Sequence, residues 1–259
     1  KRSKAVCKAA VRLGRLDLLQ CAREHGCPWP NTLYGTAAEG GHVDVMAWAR
    51  AHGCSLETNT CNVAARAGQP TALEWAHANG CPSNEDTCRM AAYAGDLAML
   101  QWLRSKSLGA NGCPWDEATC REAARTDHLD VYQWARASGC PWDVFSCTSA
   151  ALGGHLNIHQ RLRLSHCPWD KCTCQCAARG GHLDCCLIGR LDILQWARSN
   201  GCPWDEGTCA WAAYHGSFEI LRWAHENGCP WNGLTCTLSA SRGHVDILGW
   251  ARAAGCPED

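Results

Sequence analysis

Five cysteines and a histidine fall close together at Cys172, Cys174, Cys176, His182, Cys185 and Cys186. If this stretch is helical, Cys172 and Cys176 stand one turn apart on one face and could share a soft metal ion, with further ligands from the residues that follow. The spacing matches no established zinc pattern, and Cys174 belongs to a larger regularity. Histidines recur at His42, His128, His155, His182 and His244, always at the same place in a repeated unit, which favours packing over catalysis. No glycine-rich phosphate loop, nucleophile elbow or metalloprotease helix motif occurs. The chemistry-bearing residues therefore point away from an enzyme, and no cofactor is expected.

Seventeen of the 22 cysteines form two columns. The first holds Cys27, Cys54, Cys81, Cys113, Cys140, Cys167, Cys202, Cys229 and Cys256, at intervals of 27, 27, 32, 27, 27, 35, 27 and 27 residues. The second lies seven residues later in most units, at Cys61, Cys88, Cys120, Cys147, Cys174, Cys209 and Cys236, with Cys7 in the first unit and Tyr34 substituting once. Free cysteine behaves as a small buried hydrophobe, and tolerance of tyrosine argues against obligatory pairing, so structural thiols in a reducing compartment are expected. Disulfides and metal binding are the alternatives.

Two helices per unit must position these columns. Asp116 can cap a first helix running through Cys120, Ala123 and Ala124, and Pro114 cannot lie inside it. That helix should stop at a glycine column (Gly14, Gly41, Gly68, Gly95, Gly154, Gly181, Gly216 and Gly243), where a left-handed residue is needed and only Asp127 departs. A second helix opens at His128, Leu129 and Asp130 and ends before Gly139. Its tryptophan column (Trp48, Trp75, Trp102, Trp134, Trp196, Trp223 and Trp250, with Cys21 and Arg161 as departures) is expected to make the core between repeats. Another column follows Cys-Pro at Trp29, Trp115, Trp142, Trp169, Trp204 and Trp231; its replacement by Leu56, Ser83 and Glu258 suits edge packing, with a ligand-stacking strip as the alternative.

Stacked repeats need no single central core, so residues 1–259 read as one array, with insertions near 105–109 and 185–192. The second insertion, beside Arg161, predicts a weak point between Cys140 and Cys202. The chain starts inside a first unit and stops inside a tenth, which suggests a piece of a longer array. The 24 Lys and Arg nearly cancel the 25 Asp and Glu, which disfavours nucleic acid, and no apolar run approaches the ~20 residues of a membrane helix. An intracellular, cytoplasmic protein is expected.

The run from Gly154 or Gly181 through His and Leu to the next Gly-Cys resembles the second half of an ankyrin repeat, GHLEVVKLLLxxGADVN. The twelve-residue interval between its glycines is kept, as from Gly41 to Gly53 and from Gly216 to Gly228, and so is the alanine pair, as at Ala37 and Ala38 or Ala212 and Ala213. The resemblance implies an all-α, ankyrin-like solenoid of about nine stacked helix-turn-helix repeats. The family's repeat has 33 residues; the six missing here come from its β-hairpin finger, so helix pairs without fingers are expected.

By the same resemblance, the chain is a non-enzymatic scaffold that binds another protein on a concave helical face. In that family the two residues between the alanine pair and the glycine line the groove. The first of these positions holds Arg12, Glu39, Arg66, Tyr93, Arg125, Leu152, Arg179, Tyr214 and Ser241. Arg and Tyr are favoured at interface hot spots, so Arg66, Tyr93, Arg125, Arg179 and Tyr214 are the expected contacts, set in one row with Arg stems beside Tyr rings. A solvated helix face is the plainer reading. A Cys-rich metal-binding or redox-sensitive protein and a helical-repeat RNA binder are the alternative functions.

Overall fold

The computed structural model describes residues 2–105, 112–179 and 187–257. Among them lie eighteen helices and no strand. First helices of the repeat are α1 (Arg2–Arg12), α3 (Leu33–Glu39), α5 (Thr60–Arg66), α7 (Glu85–Ala94), α9 (Glu117–Arg125), α11 (Val144–Gly153), α13 (Lys171–Arg179), α15 (Glu206–Tyr214) and α17 (Gly233–Ser241). Second helices are α2 (Leu16–Glu24), α4 (Val43–Ala51), α6 (Pro70–Ala78), α8 (Leu97–Arg104), α10 (Leu129–Ala137), α12 (Leu156–Leu164), α14 (Leu187–Ser199), α16 (Phe218–Glu226) and α18 (Val245–Ala253).

The local signals act as their chemistry requires. Asp116, Asp170 and Asp205 accept from the backbone N–H two residues on, at 3.0, 3.0 and 3.1 Å, satisfying an otherwise orphan donor at the start of α9, α13 and α15. Every described residue of the glycine column has positive φ, from 62° at Gly14 to 85° at Gly154, and Asp127 takes the same conformation at 64°. The Asp127 carboxylate lies 3.5 Å from the ring of His155, a contact glycine lacks.

The contacts divide the chain into two compact units, residues 1–119 with 133–138, and residues 120–132 with 139–259. In the first unit α1, α3, α5 and α7 pack each on the next; in the second, α11, α13, α15 and α17 do so. Contacts between successive second helices are sparser, so the first helices occupy the tighter side of each stack. Alanine makes this closeness possible: Ala64, Ala65, Ala91, Ala92, Ala177, Ala178, Ala212 and Ala213 are fully buried.

The tryptophan column of the second helices is not the core that its periodicity suggests. Trp48, Trp75, Trp102, Trp134, Trp196, Trp223 and Trp250 are all half-buried. The buried positions are the two residues that lie two and three places earlier and the one just after, as in Ile193, Leu194 and Ala197 or Ile220, Leu221 and Ala224. The tryptophans flank this buried set: Trp223 and Trp250 pack against it while remaining partly exposed. His159 takes a place held by Leu73, Leu100, Leu194 and Leu221 elsewhere; it is fully buried and neither ring nitrogen has a hydrogen-bond partner.

Both cysteine columns are buried, at 0–8 % exposure. First-column thiols donate to the carbonyl of the residue capping the preceding first helix, as from Cys167 to Asp143 (3.4 Å), Cys202 to Asp170 (3.4 Å) and Cys229 to Asp205 (3.3 Å). Second-column thiols donate to the carbonyl of the next first-column cysteine, as from Cys61 to Cys81 (3.6 Å). Tyr34, in place of a cysteine, sends its hydroxyl to the equivalent carbonyl of Cys54 at 3.0 Å. The columns therefore bridge neighbouring repeats, which explains their regularity.

Around the two insertions, residues 106–111 and 180–186 fall outside the described residues, and with them Gly181, His182, Cys185 and Cys186. The predicted restart of the second helix is visible as a single helix, α14, of 13 residues against nine in α12 and α16. It contacts α12 despite the loss of a tryptophan at Arg161.

Candidate functional site

The histidine column belongs to the framework. His42, His155 and His244 each stand before a second helix and reach back 30 residues, Nε2 to the carbonyls of Arg12 (3.2 Å), Arg125 (3.0 Å) and Tyr214 (3.3 Å). A carbonyl only accepts, so Nε2 carries the proton in these contacts.

The strip of tryptophans after Cys-Pro is also framework. Trp29, Trp115, Trp169, Trp204 and Trp231 each meet the second-helix tryptophan of their own repeat edge to face, with centroids 5.7–5.9 Å apart. Their other neighbour is a cation from the preceding helix: Arg23, Arg104, Arg163 and Arg198 lie 3.9–4.2 Å over Trp29, Trp115, Trp169 and Trp204. Each of these arginines also donates to the cysteine carbonyl two residues before its tryptophan. His225 stacks on Trp231 in the same manner, and where Ser83 replaces tryptophan its hydroxyl bonds His77 instead. Two clefts of about 570 and 500 Å³ open beside Trp48 and Trp196, at equivalent repeat positions, but Arg23 and Arg163 in their walls are already engaged in these clasps. Edge packing accounts for the strip.

The five expected contact residues lie on the first helices, two in the first unit and three in the second, and they are not alike. Arg66 pairs with Glu39 at 3.3 Å and Arg125 with Glu122 at 2.7 Å, so each already has a carboxylate. Tyr93 is 40 % exposed on α7. Arg179 and Tyr214 join a different arrangement, in which Trp211 stands between them. The Arg179 guanidinium lies 5.1 Å from the Trp211 ring, Trp211 meets Tyr214 edge to face at 5.6 Å, and Arg242 lies 4.1 Å over Tyr214 and donates to its hydroxyl. His215 closes the group, 4.9 Å from Tyr214 and 5.9 Å from Trp211. The arginine stem expected beside a tyrosine ring is thus Arg242, from outside the predicted column.

Trp211 and Arg242 lie outside the expected column, one place before and two places after the pair position. The signal was present: the position before the pair reads Ala9, Thr36, Val63, Met90, Glu122, Ser149, Cys176, Trp211 and Leu238, varying as freely as the one after it. The variable surface of each first helix spans three positions, the one before the alanine pair and the two after it.

Among the cysteines outside the columns, Cys21 is exposed, while Cys172 and Cys176 are half-buried on α13, where burial raises both thiols above their ordinary range. Among the described residues no third histidine, cysteine or carboxylate joins them to complete a metal site. Nor is any described helix long and apolar enough to cross a membrane.

No protein-family model matches this chain, and a search of curated proteins returned no match.

Proposed function

We propose that this chain is an ankyrin-like repeat protein without catalytic activity that binds another protein on the exposed face of its first helices. The observation that carries the reading is a division within each first helix. In most of them the alanine pair and the cysteine are buried against neighbouring repeats, whereas the adjoining positions carry Arg, Tyr and Trp that stay exposed or half-exposed. Tyr and Trp supply contact area at low entropic cost and Arg adds a fork of charged donors, and these types are enriched at interface hot spots. The alanine pairs, left-handed glycines and two-helix period support the ankyrin likeness, and the columns of buried thiols that hydrogen-bond to backbone carbonyls support an intracellular setting.

Affinity capture with the recombinant chain, after nuclease treatment, tests this. A protein partner should be retained by the wild-type chain, and alanine at Arg66, Tyr93, Arg125, Arg179 and Tyr214 together should reduce its retention at least about tenfold with helix content unchanged. Undiminished retention by the five-fold variant would remove the face from consideration.

A further inference from the structure

We infer that the Arg179, Trp211, Tyr214 and Arg242 cluster docks an acidic protein segment, whose carboxylates meet the two guanidiniums while an apolar side chain lies against Trp211. The inference rests on the protein-binding reading above and supplies its partner chemistry.

Charge decides between this cluster and the other arginines of the face. Arg66 and Arg125 hold Glu39 and Glu122, so an incoming carboxylate would have to displace one already present. Among the described residues no carboxylate lies within ion-pair distance of Arg179 or Arg242. Of the acids nearest in sequence, Asp184 lies outside the described residues and Asp246, in the first turn of α18, makes no ion pair with Arg242; Asp170, Asp205 and Glu206 stand at the opposite, N-terminal ends of α13 and α15, and Asp205 is already held by Lys171 at 2.8 Å and Gln175 at 2.7 Å. A guanidinium lying over an aromatic ring is satisfied on its face but keeps N–H donors along its edge, where a carboxylate can be taken by two parallel bonds. Arg179 and Arg242 are exposed and oriented over Trp211 and Tyr214, so little side-chain freedom remains to be lost on binding.

Single-stranded RNA also favours arginine beside aromatic rings. It needs a track of cations along its backbone, and this face offers two at the cluster, on a chain of net charge −1. The acidic segment fits better.

Selection of displayed random peptides on the immobilised full-length chain tests the proposal, with oligouridylate as a second probe. Selected peptides should be rich in Asp and Glu around an apolar or aromatic residue. They should bind an Arg179→Glu, Arg242→Glu chain at least about tenfold more weakly and an Arg222→Glu chain, altered on the second helix α16, equally well. Arg179→Ala with Arg242→Ala is a second variant, expected to weaken binding in the same direction, and circular dichroism checks that both keep their helices. Peptides without acidic enrichment, peptides insensitive to both double variants, or preferential binding of oligouridylate would each overturn the proposal. If such peptides bind elsewhere on the first helices, the protein-binding reading stands and only this site fails; if no peptide is selected and no protein is captured, both fail.

Discussion

Acidification from pH 7 to pH 4 should cost the second unit about 3 kcal/mol through one residue, His159, and His159→Leu should remove that part of the loss. Burial, with Arg163 adding its charge, pushes the His159 pKa down to about 4, so in the folded chain the ring stays neutral. In the unfolded chain it takes up a proton near its ordinary value of about 6.5. The unfolded state therefore binds more protons between these values; stability is complete above about pH 6.5 and falls as pH drops towards 4. Trp169 and Trp196, 5.8 and 5.3 Å from the ring, offer it no acceptor for a second proton. Leucine at this place matches Leu73, Leu100, Leu194 and Leu221, removes two buried unpaired nitrogens and should add about 1 kcal/mol at pH 7. Urea unfolding of both chains at pH 7, 5 and 4 is the check. Equal losses on acidification would mean that carboxylates, not His159, carry the sensitivity.

The seventeen column thiols should react with an alkylating reagent at least about 100-fold more slowly than Cys21 in the native chain, and all 22 should react once it is unfolded. Two causes combine. The columns are buried, and second-column thiols such as Cys209 are held well above the ordinary thiol range, first by the hydrogen bond with Cys229 and then by burial, so little thiolate forms. Cys172 and Cys176 should fall between the extremes, being half-buried with raised values. Mass spectrometry of a labelling time course resolves the three groups. Fast labelling of Cys147 or Cys209 would contradict the bridging role given to the columns, and fewer than 22 reactive thiols after unfolding without reductant would reveal disulfides.

Much of the fold was legible because a repeat states the same instruction many times. One aspartate before a helix is a weak signal; Asp116, Asp143, Asp170 and Asp205, each three residues after a first-column cysteine, fix where first helices begin. The glycine column likewise located the left-handed turns, including the substitute Asp127. Periodicity could not say which apolar column lies deepest. Trp134 and Val131 both fit a helical stripe, yet Val131 is fully buried while Trp134 stays half-buried against Trp115.

The candidate site was legible only in part. Arg179 and Tyr214 stood out through the resemblance, but a carboxylate partner three residues away on α9, or one repeat earlier at Glu39, distinguishes Arg125 and Arg66 from Arg179 only when side chains are placed. Trp211 and Arg242 come together with them across three first helices, α13, α15 and α17, which no single-column reading combines. The clasp of Arg198 on Trp204 shows the opposite outcome, where residue types favoured at interfaces are used within the stack.

The claim that a protein partner meets the first helices is tested most directly by placing a photo-crosslinking residue at Ser241, exposed beside Arg242, and in a separate chain at Arg222, exposed on α16. Irradiation in cell extract should yield adducts of discrete protein mass from the Ser241 chain and none from the Arg222 chain. Adducts from Arg222 alone, or adducts at Ser241 that disappear on nuclease treatment, would contradict it.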